Sequence, residues 1–178
     1  MSASLEALLQ RWRAIFHRRR AVRWRGTWLE NGYCADCRLC CGPQEEAEPF
    51  PMKLLPAQLG SHLEEDFYLL DATTACLDRR GCRSCTDTGC RLPRSRRPVA
   101  CGLFPFVLNK NSLLLFARCP ASFFTPLSHM ELVGRDAARW LASLPREDRA
   151  RIALDLPPAT LADRYLNLHM RIPDDSTS

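Results

Sequence analysis

Ten cysteines fall between Cys34 and Cys119 in a chain of 178 residues, with none before or after that stretch. This concentration constrains the fold more than any other feature. Such a segment is a disulfide framework, a set of buried small side chains, a thiol redox pair or a set of metal ligands. Nothing in the chain directs it to an oxidising compartment, so reduced thiols are expected. Free cysteine packs as a small hydrophobe, but that does not account for four thiols in the run Cys34-Ala-Asp-Cys37-Arg-Leu-Cys40-Cys41. A redox C-x2-C pair calls for a thioredoxin-like βαβ pattern, which is missing. Metal ligation is the reading the spacing favours. A tight turn between two cysteines three positions apart points both sulfurs inward, as in zinc sites. The C-x2-C-x2-C opening also begins bacterial iron–sulfur runs.

A second group comprises Cys76, Cys82, Cys85, Cys90, Cys101 and Cys119. Within it, Cys82-Arg-Ser-Cys85 is another C-x2-C pair, and Cys119 precedes Pro120, as the last ligand of a ferredoxin-type run does. All ten cysteines are candidate ligands for zinc or iron, the iron as an ion or an iron–sulfur cluster. Consecutive side chains diverge, so Cys40 and Cys41 serve two neighbouring centres, or one of them serves packing. A structural zinc contributes ~10–16 kcal/mol of apparent binding free energy, against ~5–15 kcal/mol for the net stability of a domain. Metal binding and folding of the cysteine segment are therefore expected to be coupled.

The stretch Gly32-Tyr33-Cys34 through Cys41-Gly42, then Cys76-Leu77, Cys90, Arg97-Pro98-Val99-Ala100-Cys101-Gly102-Leu103-Phe104-Pro105 and Arg118-Cys119-Pro120 resembles the CxxCxxCC cysteine-cluster family. This is a YkgJ-like zinc- or iron-chelating domain family of mostly bacterial proteins. The resemblance covers residues 33–120. It implies metal ligands at Cys34, Cys37, Cys40, Cys41, Cys76, Cys90, Cys101 and Cys119. Cys82 and Cys85 are an additional pair between the family positions, and the Cys90–Cys101 interval is longer and more basic than the family pattern. The same cysteine cluster occurs in flagellin lysine methylases, so the resemblance also admits a methyltransferase-related enzyme. This chain shows no glycine-rich methyl-donor loop.

The expected fold class is α+β: a small, loop-rich, metal-stabilised domain with an N-terminal amphipathic helix and C-terminal helices. Leu5, Leu8, Leu9, Trp12, Ile15 and Phe16 recur at helical spacing, and residues 1–30 are assigned to a basic amphipathic helix. Residues 31–125 form the cysteine-cluster metal-binding domain, 126–173 a C-terminal helical extension packed on it, and 174–178 a disordered tail. Within the middle segment, a helix is expected through residues 58–65 and a short strand at 67–70. Residues 104–108 and 113–117 should pair as a β-hairpin around Asn109-Lys110-Asn111-Ser112. Ser128 and Glu131 have capping-box spacing. Val133, Ala137, Trp140, Leu141 and Leu144 then make one apolar face ending at Pro145. Helices should follow at 146–154 and from Thr160, the latter burying Leu161, Tyr165 and Leu168.

The charge is uneven. Residues 1–30 contain seven Arg and two Glu, a net of +5, which equals the formal charge of the whole chain. Arg79, Arg80, Arg83, Arg91, Arg94, Arg96 and Arg97 form a second basic cluster. A nucleic-acid-binding zinc module is one reading of these segments. The favoured reading is local, with guanidinium groups offsetting the negative charge of a thiolate-bound metal. The four His are scattered, and each reads as a surface or cap residue. No hydrolase or metalloprotease motif is present, which leaves open whether the chain is an enzyme. No apolar run reaches the ~18–20 residues of a membrane span, and the start lacks the continuous apolar core of a secretory signal. The expected location is cytoplasmic, with a metal ion as the one partner the sequence names.

Overall fold

The computed structural model describes residues 21–37, 40–42, 50–59, 65–77, 81–87 and 89–173. The chain is a mixed α+β fold, as its sequence implies. Residues 1–20, with the expected amphipathic helix, lie outside the described residues, as does the tail 174–178. The remainder of the segment assigned to that helix is not helical. Strands β1 (Val22–Trp24) and β2 (Leu29–Asn31) form an antiparallel hairpin instead, with Val22 opposite Asn31. Alternation explains it: Val22 and Leu29 are buried while Arg23 faces solvent.

The larger core is built on an antiparallel sheet in which β9 (Ser112–Phe116) lies between β8 (Phe106–Asn109) and β10 (Tyr165–Arg171). Strands β8 and β9 are the anticipated hairpin, closed by a tight turn at Lys110-Asn111 with Lys110 at positive φ. The first arm begins later than expected, because Val99–Leu103 forms a short helix, α2, whose C-cap is Phe104. Helix α4 (Leu127–Ser143) lays Met130, Val133, Ala137 and Leu141 on this sheet. It starts at Leu127, with Pro126 at the N-cap and no side-chain cap bond. Ser128 therefore sits inside the first turn, and the expected capping box does not form. Trp140 packs against Trp24 at 5.6 Å between ring centroids, a packing role as expected.

After α4 come α5 (Arg146–Ile152) and α6 (Pro158–Arg164). The first ends two residues early because Leu154 leaves the helix to bridge Asn109. The second ends at Arg164, and residues expected to continue it form strand β10 (Tyr165–Arg171) along the edge of β9. Leu168 is buried, as expected, but from a strand. Pairing with the open β9 edge satisfies a row of backbone groups that a longer helix would leave to solvent.

A second, smaller sheet has the order β3-β5-β4, with β3 (Phe50–Lys53), β4 (Tyr68–Asp71) and β5 (Thr74–Leu77). The expected strand at 67–70 is thus present one residue later. Before it, Pro56–Gln58 make a single 3-10 turn, and residues 60–64 of the expected helix are not described. Met52, Leu54, Phe67, Ala75, Leu77 and Leu92 form a core of their own under this sheet. Cysteines border both cores: Cys119 belongs to the larger, and Cys82 and Cys90 pack against the smaller. Among the described residues, no helix is long and apolar enough to cross a membrane.

Candidate metal centre

All ten cysteines are described, and none is in a disulfide. Nine of them line two adjoining cavities. The first, of about 300 Å³, is bordered by Cys34, Cys37, Cys40, Cys41 and Cys119. The second, of about 290 Å³, is bordered by Cys34, Cys40, Cys41, Cys82, Cys85, Cys90 and Cys101. Cys34, Cys40 and Cys41 belong to both walls. The tenth, Cys76, lines neither: it is buried at 4% exposure in β5, with Pro51 and Tyr68 as its strand partners.

Local structure explains how separated segments converge. Cys34 and Cys37 occupy the single helical turn α1 (Cys34–Cys37), held by the Cys37 amide donating to the Tyr33 carbonyl at 3.0 Å. Positions three apart on a helix share a face. The second C-x2-C pair lies on a turn of the same reach, in which the Cys85 amide donates to the Cys82 carbonyl at 3.0 Å. Cys85 then opens β6 (Cys85–Thr86) and stands opposite Cys90 of β7 (Gly89–Cys90). Cross-strand partners project to one side of a hairpin, so both thiols reach the second cavity. Cys101 rides on α2, and Cys119 is the N-cap of α3 (Pro120–Phe124).

Several contacting groups carry no signature in the sequence. The Asn31 side-chain amide donates to the Cys119 sulfur at 3.9 Å. The Cys101 thiol meets the Met52 sulfur at 3.5 Å. Phe104 lines both cavities, and Phe116, Arg164 and Tyr165 line the first. Only Phe104 could have been anticipated, from its place in the Arg-Pro-x-x-Cys-x-x-Phe-Pro element.

The electrostatics are those of thiols held away from water. Burial pushes the Cys34 thiol up to about 12, with Cys119, Cys41 and Cys37 adding like-charge repulsion. Cys34 and Cys101 are exposed residues that border the second cavity, while the protein packed around their thiols desolvates them. Burial likewise raises Cys82 to about 11 and moves Cys101 upward. It also raises Cys119 to about 11, against the pull of the Ala121 and Ser122 amides. Cys41 moves the other way, to about 7, because Cys40 donates a hydrogen bond to it and the Arg97 guanidinium stands nearby. Cys40, the donor, is correspondingly raised.

The basic cluster is engaged internally where it is described. Arg97 donates to the Leu92 carbonyl at 2.8 Å and the Cys90 carbonyl at 3.2 Å, and it lines the second cavity with Arg94. The Arg94 guanidinium also lies 4.2 Å over the Trp28 ring, and that of Arg83 lies 3.9 Å over the Tyr68 ring. Arg96 and Arg91 pair with the fully buried Asp66. Arg79 and Arg80 are outside the described residues.

Among the described residues, no group of three or more His, Cys, Asp or Glu side chains is arranged as a ready-made metal site. The thiols line cavity walls and would have to close inward on a metal. No family model, no curated protein and no solved structure matches the chain.

Proposed function

We propose that this chain is a metal-binding protein that takes zinc or iron, the iron as an ion or an iron–sulfur cluster, into its two thiol-lined cavities. The observation that carries this reading is the convergence of nine cysteines, from segments spread over 85 positions of sequence (Cys34 to Cys119), on two adjoining spaces. The donor chemistry fits. The lining residues include no His, Asp or Glu, their cysteines are joined by the Met52 thioether, and soft sulfur sets select zinc and iron–sulfur centres over hard cations. The resemblance to the cysteine-cluster family points the same way.

Cavity size favours a cluster over an isolated ion. A volume of about 300 Å³ corresponds to about ten waters at their liquid volume, more room than one ion needs. The first cavity would draw on Cys34, Cys37 and Cys119, the second on Cys82, Cys85, Cys90 and Cys101, with Cys40 and Cys41 at the partition. A bound cluster would supply one-electron chemistry; a bound zinc would supply structural cross-linking. The protein's own contribution is to bring the sulfurs together and to set Arg94 and Arg97 against the negative charge of the thiolates. Ligands must lose their protons to bind, and burial has made those protons hard to lose. Loading is therefore coupled to proton release, in a compartment reducing enough to keep the thiols free.

The nucleic-acid reading draws less support, because the described arginines of the second basic cluster are committed to Asp66, Trp28, Tyr68 and backbone carbonyls. Metal content after single substitutions tests the proposal. Cys37→Ser and Cys101→Ser should each lower metal stoichiometry, one through each cavity. Cys76→Ser should leave it unchanged, since Cys76 borders neither space. Full occupancy in the first two variants would remove these cavities from metal binding.

A further inference from the structure

The mouth of the first cavity is built unlike its thiol floor. Strand pairing sets Phe116 opposite Tyr165, and the next amide, Ala117, donates to the Arg164 carbonyl at 2.9 Å. This register places Arg118 and Arg164 side by side at the rim. A single oxygen of Asp163 accepts from both, at 2.9 Å from Arg118 and 3.3 Å from Arg164. The two guanidinium groups thus converge on one carboxylate oxygen, which an incoming anion has to displace; both are substantially exposed, at 59% and 42%, and so is Asp163, at 57%. Behind them the wall is aromatic. Phe116 lies 5.3 Å from Phe104 and 5.5 Å from Tyr165 between ring centroids, the latter edge-on.

We propose that this mouth is a binding site for a small molecule with a flat apolar body and one carboxylate or phosphate group. The anionic group takes the place of the Asp163 carboxylate between Arg118 and Arg164, and the body lies along Phe104, Phe116 and Tyr165. Planar guanidinium forks match carboxylate and phosphate oxygens in a way that a point charge does not. The cavity volume of about 300 Å³ is at the small end of the ~300–1,000 Å³ typical of ligand sites. A ligand seated there would lie above Cys34, Cys37 and Cys119. The inference does not require a metal: it rests on the arginine pair and the aromatic wall.

Calorimetric titration of the full chain with benzoate and with phenyl phosphate tests it, with uncharged phenol as the comparison. At least one anion should bind at least about tenfold more tightly than phenol, the stronger of the two identifying the preferred head group. Arg118→Gln and Arg164→Gln should each weaken that binding about tenfold or more, the size expected for hydrogen bonds to a charged group. Arg135→Gln, on α4 and bordering neither cavity, should leave it unchanged. Should either glutamine variant fail to fold, Arg118→Lys and Arg164→Lys decide instead. They keep the charge and lose the planar fork, and wild-type affinity in both would overturn the proposal. So would failure of both anions to bind, equal binding of phenol, or equal weakening by Arg135→Gln. Metal content measured on the same samples separates this inference from the metal reading: anion binding by metal-free protein would sustain the one without the other.

Discussion

The Cys82 amide donates to the Cys41 carbonyl at 2.9 Å, tying the two C-x2-C segments together by their backbones. Gly81 makes this approach possible. Its φ is +77°, and a Cβ there would stand 2.7 Å from the Gly42 carbonyl carbon and 2.8 Å from the Cys41 oxygen. The second cavity depends on a position that only glycine fills without moving backbone.

Gly81→Ala should therefore cost more than its backbone conformation alone. Gly26 provides the comparison, with φ +75° and nothing within 4 Å of an added Cβ. Gly26→Ala should destabilise by about 1–2 kcal/mol, the left-handed strain of an L-residue. Gly81→Ala should exceed that and lower metal content as well. Denaturant unfolding and metal analysis of both variants check this; equal costs and full metal content would show that the close approach does not matter.

Asp66 is 1% exposed, pairs with Arg96 and stands 3.6 Å from Arg91. Its backbone carbonyl also accepts from the Ser84 hydroxyl at 2.5 Å. It thereby joins the segment before β4 to the chain on both sides of Cys85 and Cys90. Both arginines are about one-third to two-fifths exposed, so the loss should fall below that of a fully buried pair. Asp66→Ala should destabilise by about 1–3 kcal/mol, read from the midpoint of chemical unfolding. An unchanged midpoint would remove this link from the account.

The metal-free protein should lose stability in alkali. Cys34, Cys82 and Cys119 are raised to about 12, 11 and 11, whereas an unfolded thiol titrates near ~8.5. In that window the folded state binds more protons than the unfolded one, so stability falls as pH rises from ~8.5 through the folded values. Cys41, lowered to about 7, has the opposite sign and loses its contribution as pH falls toward 7, but it stands against several. Thermal unfolding of chelator-treated protein should show a falling Tm above about pH 8.5. Metal-loaded protein, with its thiolates already deprotonated, should show much less. A flat profile for the metal-free protein would contradict the burial of these thiols.

Some of this architecture is visible in the sequence and some is not, for definite reasons. The hairpin of β8 and β9 is a local feature: two apolar arms and a polar turn state it without reference to the rest of the chain. The thiol run marks a candidate site by spacing alone, and its four cysteines do line the cavities. By contrast, Tyr165 and Leu168 satisfy a helical repeat with Leu161 as well as a strand, and only the distant β9 edge decides between them. The separation of Cys76 from the other nine cysteines is equally hidden, because it follows from the pairing of β5 with β3 and β4. The rim of Arg118 and Arg164 likewise arises from the register of β9 against β10, which no local pattern encodes.

Removing metal should make transient opening of the cysteine segment more frequent, from a closed form that still buries its thiols, while sparing the helices that pack on the larger core. Arg83, Arg91, Arg94 and Arg96 offer trypsin sites between the cysteines of the second cavity, and closure of those thiols on a metal would hold them in place. Limited digestion of loaded and chelator-treated protein should show new cleavage there, with the α4 region retained. Identical fragment patterns would mean that the cysteines do not organise this part of the fold.

The central claim is met most directly by metal analysis and an absorption spectrum of protein purified without oxygen. The account predicts zinc or iron bound in stoichiometric amount, and, given the size of the cavities, iron accompanied by sulfide and a broad band near ~400 nm, the absorption expected of iron–sulfur thiolate ligation. Colourless protein with stoichiometric zinc would keep the metal centre and reverse its identity. Folded protein with all ten thiols titratable and neither metal above trace would contradict the account.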